Sequence, residues 1–509
     1  MSDPAAALPL LRAPPFPGAR VLLSEPGPAP PRPVAPATVE RLFAALRAAR
    51  VGGSFWAPVG AITQWVDRAA APLGEPVDPW SVLAPGVTVR GCGDDEWIAL
   101  AQIAGARVEL TAPGRYDTPE KVAAALLARR YRDPFTGAAS DLDATVALLG
   151  LWRDIAAANR AIVAACGIAW WKRREIRRVL WSPGRSLRFY RSERGAIAHA
   201  ARVGGAIAVW PSRVSAAMAR DAAAAGVPLV RVEDGFVRSV GLGSDMVPPS
   251  SITVDARGIH YDPAHASDLE QLLATATFAP ALLARAARLR ATVIEGRISK
   301  YGGAAAQTFP PRATGRRLVL VPGQVEDDMS VRLGGHGLAS NLELLRRARA
   351  LEPEAEIWFR PHPDVDAGHR RGAVRDADAL ALADRVVRGG AMADLLDRVD
   401  GVHVLTSLTG FEALLRGRDV TCHGTPFYAG WGMTRDLAPV PDRRGRALTL
   451  DELVAGVLIL YPRYLDPVTA LPCPPETLVA RMAAGGAVNR LDRVSRIRRW
   501  QGRIARRWR

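Results

Sequence analysis

The stretch Leu229-Val-Arg-Val-Glu-Asp-Gly-Phe236 joins a short apolar strand pattern directly to two carboxylates and a glycine. Similar apolar runs recur along the chain and alternate with alanine-rich helical stretches, a pattern that indicates parallel sheets. One set covers about 166–309 and a second covers about 316–482. The pattern predicts an α/β protein with two Rossmann-like domains that face each other across a cleft.

The part of the chain before these domains has two sections. Residues 1–40 are rich in proline and predict an extended leader, to which we assign no function. Residues 41–165 share a weak, ordered repeat with the C-terminal region, which predicts a degenerate α/β copy of part of a module. The repeated pairs are Gly86–Val89 with Gly401–Val404, Ala101–Val108 with Ala413–Val420, Asp117–Glu120 with Thr449–Glu452, and Tyr131–Pro134 with Tyr464–Pro467.

In both copies an Asp or Thr stands three residues before a Glu, which predicts a capping box at a helix start. The first copy lacks counterparts of Thr406–Gly410 and Phe427–Trp431, so we expect it to be structural rather than catalytic. Chance similarity in an alanine- and arginine-rich sequence is the alternative.

Bulk properties limit where the protein works. The four cysteines lie far apart without CxxC spacing, which predicts neither a zinc site nor a disulfide framework. The N-terminus does not resemble a secretory signal, and no stretch approaches the roughly 18 apolar residues of a membrane span. We therefore expect a cytoplasmic protein whose membrane contact is peripheral.

The net charge of +16 predicts anionic partners: nucleic acid, acidic lipid or an acidic sugar nucleotide. Nine arginines and one acid lie in 490–509, and apolar residues recur there every three or four positions. Segment 486–509 therefore predicts a basic amphipathic helix that binds a membrane surface. A solvated tail or a nucleic-acid contact is the alternative, although the chain shows no recognised nucleic-acid module and we expect no nucleic-acid partner.

Two carboxylates, Glu233 and Asp234, follow the strand in the opening stretch. Ligand-binding residues collect at the carboxyl ends of parallel strands, where a carboxylate can act as a base or as a nucleophile toward a sugar carbon. An ordinary turn is the alternative. The small and polar residues that follow are further cleft candidates: Gly235, Arg238, Ser239 and Gly241.

Three later segments also follow apolar strands. In Arg360-Pro-His-Pro-Asp364, two prolines stiffen the backbone around His362, which could bond to or protonate a nucleotide phosphate. A histidine without such a role in a proline-stiffened loop is the alternative. Thr406-Ser-Leu-Thr-Gly410 precedes a helix and predicts an anion site, with ordinary helix capping as the alternative. Val321–Asp328 contains Gln324 and three acids, but their spacing and the lack of His or Cys favour a cleft without metal.

Segment Gly424–Gly432 places aromatic side chains between glycines and a proline. Tyr428 and Trp431 could line the cleft or stack on a base or sugar. A well-packed loop is the alternative.

Five of these segments, in this order, resemble over about 170–475 the capsular polysaccharide biosynthesis β-Kdo transferases of the KpsC/LipB type. The resemblance is carried by Glu233–Asp245, Val321–Asp328, Arg360–Asp364, Thr406–Glu412 and Pro426–Gly432. It implies a GT-B-like pair of domains, CMP-β-Kdo as donor, and a Kdo-primed phosphatidylglycerol lipid as acceptor. No cofactor or metal is expected.

The resemblance also implies roles for individual residues. Asp234 would be the catalytic carboxylate, His362 the contact to the CMP phosphate, and Thr406 with Ser407 the phosphate-binding hydroxyls. Donor and product of the family share the β configuration, so retention favours Asp234 as nucleophile. Further candidates are Glu233 for catalysis and Arg360, Gln324, Gly410 and Glu412 for donor binding.

The sequence departs from the family in one respect. Members often carry two full transferase modules, whereas this sequence shows one complete module and a fragment. The alternative function is a non-catalytic, sugar-nucleotide-binding component of the capsule assembly and export complex, which would also be the expected partner of a transferase.

Overall fold

The computed structural model describes residues 9–28, 34–61, 63–68, 76–239, 246–300, 309, 315–368 and 370–485. The described residues divide into two compact units, of which the first comprises Met1–Val163, Arg177–Arg188 and Thr469–Pro472 and the second the remainder. Across the described ranges, no helix has the length and apolarity needed to cross a membrane. The predicted basic helix at 486–509 and the cleft candidate Gly241 lie outside the described residues.

In its described residues, the first unit contains two three-stranded sheets and four complete α-helices. One sheet has the strand order β1-β5-β6 and is antiparallel, and the other has the order β2-β3-β4 and is parallel. The elements are β1 (Ser24–Pro26), α1 (Pro36–Ala49), β2 (Trp65–Asp67), β3 (Thr88–Cys92), α2 (Glu96–Ala104), β4 (Arg107–Ala112), α3 (Pro119–Leu127), β5 (Arg129–Arg132), β6 (Ala139–Ser140) and α4 (Leu142–Asn159).

The proline-rich segment is part of this unit, which corrects the prediction of an extended leader over residues 1–40. Leu10, Leu11 and Phe16 are buried, and the Phe16 ring lies 5.1 Å from that of Trp152. Strand β1 pairs with β5, and α1 begins at Pro36. Proline is tolerated at the first helical position because the N–H that it lacks has no partner there.

The repeated segments have the same local structure in both places. Gly105 and Gly417 each end a helix with positive φ, 78° and 65°. Thr449 forms the predicted capping box with Glu452. In the first copy the capping prediction is wrong, because Thr118 rather than Asp117 caps α3, while Asp117 forms an ion pair with Lys121.

The second unit begins with a mixed seven-stranded sheet of order β19-β18-β11-β10-β9-β7-β8. Strands β9 and β10 are parallel as predicted, but β11 runs antiparallel to both β10 and β18. The elements up to the domain connection are β7 (Ile162–Cys166), α5 (Arg173–Val179), β8 (Arg188–Tyr190), α6 (Glu193–Val203), β9 (Ala206–Val209), α7 (Met218–Ala224), β10 (Leu229–Asp234), β11 (Ser251–Asp255), α8 (Asp268–Thr275) and α9 (Pro280–Glu295).

The second sheet has the order β14-β13-β12-β15-β16-β17, and its paired strands are parallel. This is the Rossmann strand order. The order in which strands are added to the sheet reverses between β12 and β15, and open α/β sheets bind ligands at such a point. Its elements are β12 (Leu318–Pro322), α10 (Met329–Gly334), α11 (Asn341–Leu351), β13 (Glu356–Arg360), α12 (Pro363–Asp366), α13 (Asp376–Leu380), β14 (Arg385–Val386), α14 (Met392–Leu396), β15 (Gly401–Val404), α15 (Leu408–Leu415), β16 (Asp419–Cys422) and β17 (Arg435–Asp436).

The chain then returns to the first sheet, so the predicted boundary of the second domain at 482 is wrong. The returning elements are α16 (Leu450–Val454), β18 (Pro462–Leu465), β19 (Pro472–Cys473) and α17 (Pro475–Ala483). Helix α9 packs against α16 and α17, with ion pairs Arg290–Asp451 at 3.1 Å and Arg285–Glu476 at 2.6 Å. The two Rossmann-like domains of the second unit are therefore linked by two chain crossings.

Candidate active site

A cleft of about 750 Å³ is lined by residues from both Rossmann-like domains of the second unit. The ends of β10, β12, β13 and β15 all contribute to it. The predicted residues that line it are Glu233, Asp234, Gly235, Gln324, Arg360, His362, Thr406, Ser407 and Glu412. The polar residues that follow these apolar strands therefore line one cleft.

Asp234 is the last residue of β10, and both of its carboxylate oxygens are held by cations. Lys172 Nζ donates to Oδ1 at 2.9 Å, and Arg238 Nε donates to Oδ2 at 2.7 Å. Burial alone would raise the pKa of Asp234, but the charges of Arg238 and Lys172 outweigh it and hold that pKa well below its usual range. Asp234 is therefore an ionised carboxylate in the cleft.

Lys172 is a residue that the sequence analysis missed. It lies 62 residues before Asp234 in the chain, and no spacing pattern connects the two. Its Nζ lies 3.5 Å from the centroid of the Trp210 ring, a cation–π contact. Burial lowers the pKa of Lys172, while the charge of Asp234 opposes this effect. The ammonium is thus fixed between an aromatic ring and the carboxylate.

Glu233 differs from its neighbour Asp234 in protonation. Its Oε1 accepts a hydrogen bond from the backbone N–H of Asp234 at 3.0 Å. Burial, reinforced by the negative charge of Asp234, raises the pKa of Glu233 to about 7. Two adjacent carboxyl groups therefore have separated pKa values, which is the usual arrangement where one acts as an anion and the other exchanges a proton.

Arg238 and Ser239 support Asp234 from behind rather than line the cleft. The fully buried Arg238 donates to Ser239 Oγ at 2.7 Å and to the Val247 carbonyl at 2.8 Å, in addition to its bond with Asp234. Gly235 allows close packing, because a Cβ there would lie 2.1 Å from Ser251 Oγ. Of these residues, only Gly235 lines the cleft, and Arg238 and Ser239 do not. Arg238 and Ser239 therefore help to position the carboxylate from outside the cleft.

The other wall of the cleft is built at the point where the strand order reverses. Gln324 follows β12 and Thr406 follows β15, and their side chains meet there. Gln324 Nε2 donates to Thr406 Oγ1 at 3.0 Å, and the Thr406 N–H donates to Gln324 Oε1 at 2.9 Å. Both are buried. This pair fixes the loop ends at the position where Rossmann domains bind nucleotides.

His362 lies in the stiffened loop after β13 and caps the short helix α12. Its Nδ1 accepts a hydrogen bond from the Asp364 N–H at 3.1 Å. Burial lowers the pKa of His362, so the ring is neutral near pH 7. Because Nδ1 is an acceptor, the ring proton is on Nε2, which can donate to a phosphate oxygen.

Arg360 ends β13 and is buried. One terminal nitrogen donates to the Gly390 carbonyl at 2.7 Å, whereas Nη1 is buried without a hydrogen-bond partner in the described structure. Burial lowers the pKa of Arg360, although arginine remains charged at any physiological pH. A buried cation with an unfilled donor is suited to an anionic ligand.

The segment around α15 has mixed roles. Ser407 caps the helix, because its side chain accepts a hydrogen bond from the Thr409 N–H at 3.2 Å. The expected alternative of helix capping is therefore correct for Ser407, which also lines the cleft. Gly410 packs against Tyr428, whose hydroxyl a Cβ at this position would approach to 2.3 Å. Glu412 accepts from the Lys300 N–H at 2.9 Å, and burial raises the pKa of Glu412.

Tyr428 and Trp431 do not line the cleft, which corrects their prediction as cleft candidates. Both side chains are fully buried, and each bonds to the backbone: Tyr428 Oη to the Ser407 carbonyl, and Trp431 Nε1 to the Phe427 carbonyl at 2.9 Å. The aromatic segment is thus a packed loop, and only Pro426 and Phe427 from it reach the cleft.

Metal ligands are not assembled in the part of the chain that the structure describes: no group of three or more His, Cys, Asp or Glu residues is arranged to hold a metal ion there. Asp328 alone of the three acids in Val321–Asp328 lines the cleft. His260, Tyr261 and Lys300 also line the cleft, and, as for Lys172, no sequence pattern predicted this.

Known proteins are similar to this chain in sequence and in fold. A family model described as capsule polysaccharide biosynthesis protein matches residues 205–309 and 291–464. The KpsC β-Kdo 2,7 transferase of Thermosulfurimonas dismutans is 33% identical, with a TM-score of 0.52 over 64% of this chain and 99% of that chain. The β-Kdo 2,4 transferase of the same KpsC is 32% identical, with a TM-score of 0.53 over 63% and 98%.

Two further relatives are similar in sequence. The capsule polysaccharide modification protein LipA of Neisseria meningitidis serogroup A is 40% identical over 347 residues, which are 68% of this chain and 49% of LipA. The lipopolysaccharide-processing protein LpsZ of Rhizobium meliloti is 44% identical over 243 residues, 47% of this chain and 54% of LpsZ. The chain thus spans about half the length of these relatives. Together with the fold and the cleft, these matches show that the chain belongs to the capsule polysaccharide biosynthesis protein family.

Proposed function

We propose that this chain is a retaining β-Kdo transferase that moves Kdo from CMP-Kdo to a Kdo-primed phosphatidylglycerol lipid in the synthesis of a capsule linker. The observation that carries the proposal is the carboxylate of Asp234, held ionised by Lys172 and Arg238 in the same cleft as His362. The likeness to β-Kdo transferases of both linkage types supports it.

The donor is proposed to bind with CMP on the second domain. The nucleotide is proposed to bind next to Gln324 and Thr406, because these residues lie where the strand order reverses. His362 Nε2 donates to the phosphate, and Arg360 adds positive charge. The sugar then points toward Asp234 on the first domain.

The reaction runs in two displacements. In the first, an Asp234 oxygen attacks the anomeric carbon of Kdo, the bond from that carbon to the phosphate oxygen breaks, and CMP leaves with the bonding electrons. In the second, an acceptor hydroxyl attacks the same carbon, Glu233 takes its proton, and Asp234 is released as a carboxylate. Two inversions give net retention. A pKa of about 7 suits Glu233 to the proton transfer.

The acceptor is a lipid, so the enzyme is proposed to work in the cytoplasm, as a peripheral protein at the inner face of the inner membrane. The basic segment 490–509 supports this, because anionic lipid attracts clustered arginines. The capsule assembly and export complex would receive the product.

The test is to incubate the full chain with CMP-Kdo and a synthetic Kdo-terminated glycolipid and to follow CMP release and glycolipid mass. Growth of the glycolipid by one Kdo is expected, with a β linkage by NMR. An α-linked product would contradict retention. If CMP-Kdo binds but no acceptor is extended, the chain is instead a non-catalytic sugar-nucleotide-binding component of capsule assembly.

A further inference from the structure

Two neighbouring side chains in the cleft carry buried polar atoms that have no hydrogen-bond partner in the described part of the chain. These atoms are His260 Nδ1 and Tyr261 Oη, in the loop that follows β11. A buried polar atom without a partner costs free energy of folding, so proteins rarely keep one unless a water or a ligand satisfies it. The pair therefore marks a place where a ligand oxygen is expected.

Both groups are held in their uncharged forms. The His260 ring packs against Phe236, Phe427 and Tyr461 at centroid distances of 4.9, 5.9 and 6.1 Å. Burial, with the nearby charge of Lys300, lowers the pKa of His260 to about 3. Burial and the negative charge of Glu233 raise the pKa of Tyr261, which keeps its hydroxyl as a hydrogen-bond donor.

Lys300 supplies a cation to the same region, and its backbone is fixed from both domains. Its N–H donates to Glu412 Oε1 at 2.9 Å, and its carbonyl accepts from the Arg238 N–H at 3.1 Å. The residue lines the cleft, and its charge acts on His260, Glu233 and Asp234. A substitution of the side chain leaves both backbone bonds possible.

The chemistry of a keto-acid sugar explains why such a group is needed. Its carboxylate is attached to the carbon that reacts, so attack by Asp234 brings two anions close together. Lys172 and Arg238 already compensate the charge of Asp234. A second carboxylate then requires a cation and hydrogen-bond donors of its own, because like charges at short range repel strongly in a cleft.

We propose that Lys300, Tyr261 and His260 form a subsite for the carboxylate on the reacting carbon of the donor sugar, and thereby select acidic keto sugars over uncharged ones. This inference rests on the proposed function and adds residues that determine donor specificity. Lys300 contributes the charge, and Tyr261 Oη and His260 Nδ1 contribute hydrogen bonds.

The test compares Tyr261→Phe and Lys300→Met with two matched controls outside the cleft, Tyr190→Phe and Lys121→Met. For each protein, calorimetry measures binding of CMP alone. Kinetics measure kcat/KM for CMP-Kdo and for the analogue whose carboxylate is replaced by a carboxamide. Loss of a hydrogen bond to a charged group should lower kcat/KM for CMP-Kdo about 10- to 100-fold. CMP affinity should change less than about twofold, and kcat/KM for the uncharged carboxamide should fall by a smaller factor than kcat/KM for CMP-Kdo, so the preference for the acid narrows.

The outcomes separate this inference from the proposed function. If the wild-type chain transfers Kdo and both variants keep its preference for the acid, the subsite is overturned and the transferase stands. If the wild-type chain neither binds nor uses CMP-Kdo, both fall. Melting temperatures check folding, and Lys300→Gln, which keeps a polar side chain of similar length, replaces Lys300→Met if that variant unfolds; it should show the same loss of preference.

Discussion

The two copies of the repeated segment differ in the residues that come directly after their first strand. In the first copy, Asp95 caps α2 and forms an ion pair with Arg68 at 3.2 Å, and Asp94 accepts from the Arg115 N–H. In the second copy, Thr406 and Ser407 come after β15 and line the cleft. The same order of strand and helix thus carries a loop with local contacts in the first copy and a loop that lines the cleft in the second.

The two segments therefore share an order of strand and helix, but their loop residues have different contacts. In the first copy, the polar residues after the strand cap a helix or form ion pairs and hydrogen bonds within their own unit. In the second copy, the same edge of the sheet faces a cleft that contains a charged carboxylate and a neutral histidine. We therefore expect substitutions in the two copies to have different consequences, which range from loss of catalysis to a small loss of stability.

The largest effect is expected for Asp234→Ala, with Asp94→Ala in the first unit as its control. Removing the proposed nucleophile should lower kcat by about 10⁴-fold or more, as losses of catalytic nucleophiles do. Asp94→Ala should leave kcat within about twofold. The assay is Kdo transfer to a synthetic glycolipid, with circular dichroism to confirm folding. Transfer by Asp234→Ala near the wild-type rate would disprove its role.

Glu233→Gln should lower kcat/KM about 10²- to 10⁴-fold, the range for loss of a general base. With the pKa of Glu233 near 7, the wild-type rate should rise between pH 6 and pH 8 as the group loses its proton. The variant has no such group, so its remaining activity should lack that rise. A pH profile with the same acid limb in both proteins would assign the limb to another residue.

Lys172→Met removes one of the two cations on Asp234 and should lower kcat about 10- to 100-fold. The pKa of Asp234 should then rise, so a smaller fraction is ionised at low pH and the loss should be greater at pH 5 than at pH 8. Lys172→Arg, which keeps the charge, should recover part of the activity. A loss that is equal at every pH would indicate a purely structural role for Lys172.

His362→Ala should mainly weaken use of the donor, because it removes a hydrogen bond to a charged phosphate. We expect KM for CMP-Kdo to rise about 10- to 100-fold with a smaller change in kcat. His265→Ala, at an exposed histidine outside the cleft lining, is the control. An unchanged KM with a large fall in kcat would instead point to protonation of the leaving group.

The smallest effects are expected for the helix caps Thr118→Ala and Thr449→Ala, one in each copy. Each should reduce the free energy of unfolding of its own unit by about 1 kcal/mol. Kdo transfer by Thr118→Ala should stay within about twofold of wild type, measured below its melting temperature. If that variant folds and still loses transfer, the first unit has more than a structural role.

Much of the cleft could be predicted because its residues lie directly after apolar strands. Parallel strands bring their carboxyl ends to one edge, and Asp234, His362 and Thr406 each follow an apolar strand. These positions, together with the family resemblance, predicted that the three residues act in one site. The aromatic loop shows the limit of such patterns. Tyr428 and Trp431 have the composition of a stacking surface, but burial and backbone hydrogen bonds decided that they pack inside.

Contacts between distant segments could not be predicted from the sequence. Lys172 and Lys300 reach the cleft from loops without a recognisable pattern, and their partners lie far away in the chain. The return of β18 and β19 to the first sheet depends on pairing with β11, which no local propensity encodes. The proline-rich start was misinterpreted because Leu10 and Leu11 are buried by contacts within the first unit.

The proposed nucleophilic role of Asp234 is tested most directly by mass spectrometry of the chain after brief incubation with CMP-Kdo in the absence of acceptor. A double displacement predicts a Kdo adduct on the peptide that contains Asp234, absent from Asp234→Ala and lost when the glycolipid acceptor is added. Acceptor-dependent transfer of Kdo with a β linkage, unimpaired in Asp234→Ala and without any adduct in the wild type, would contradict it.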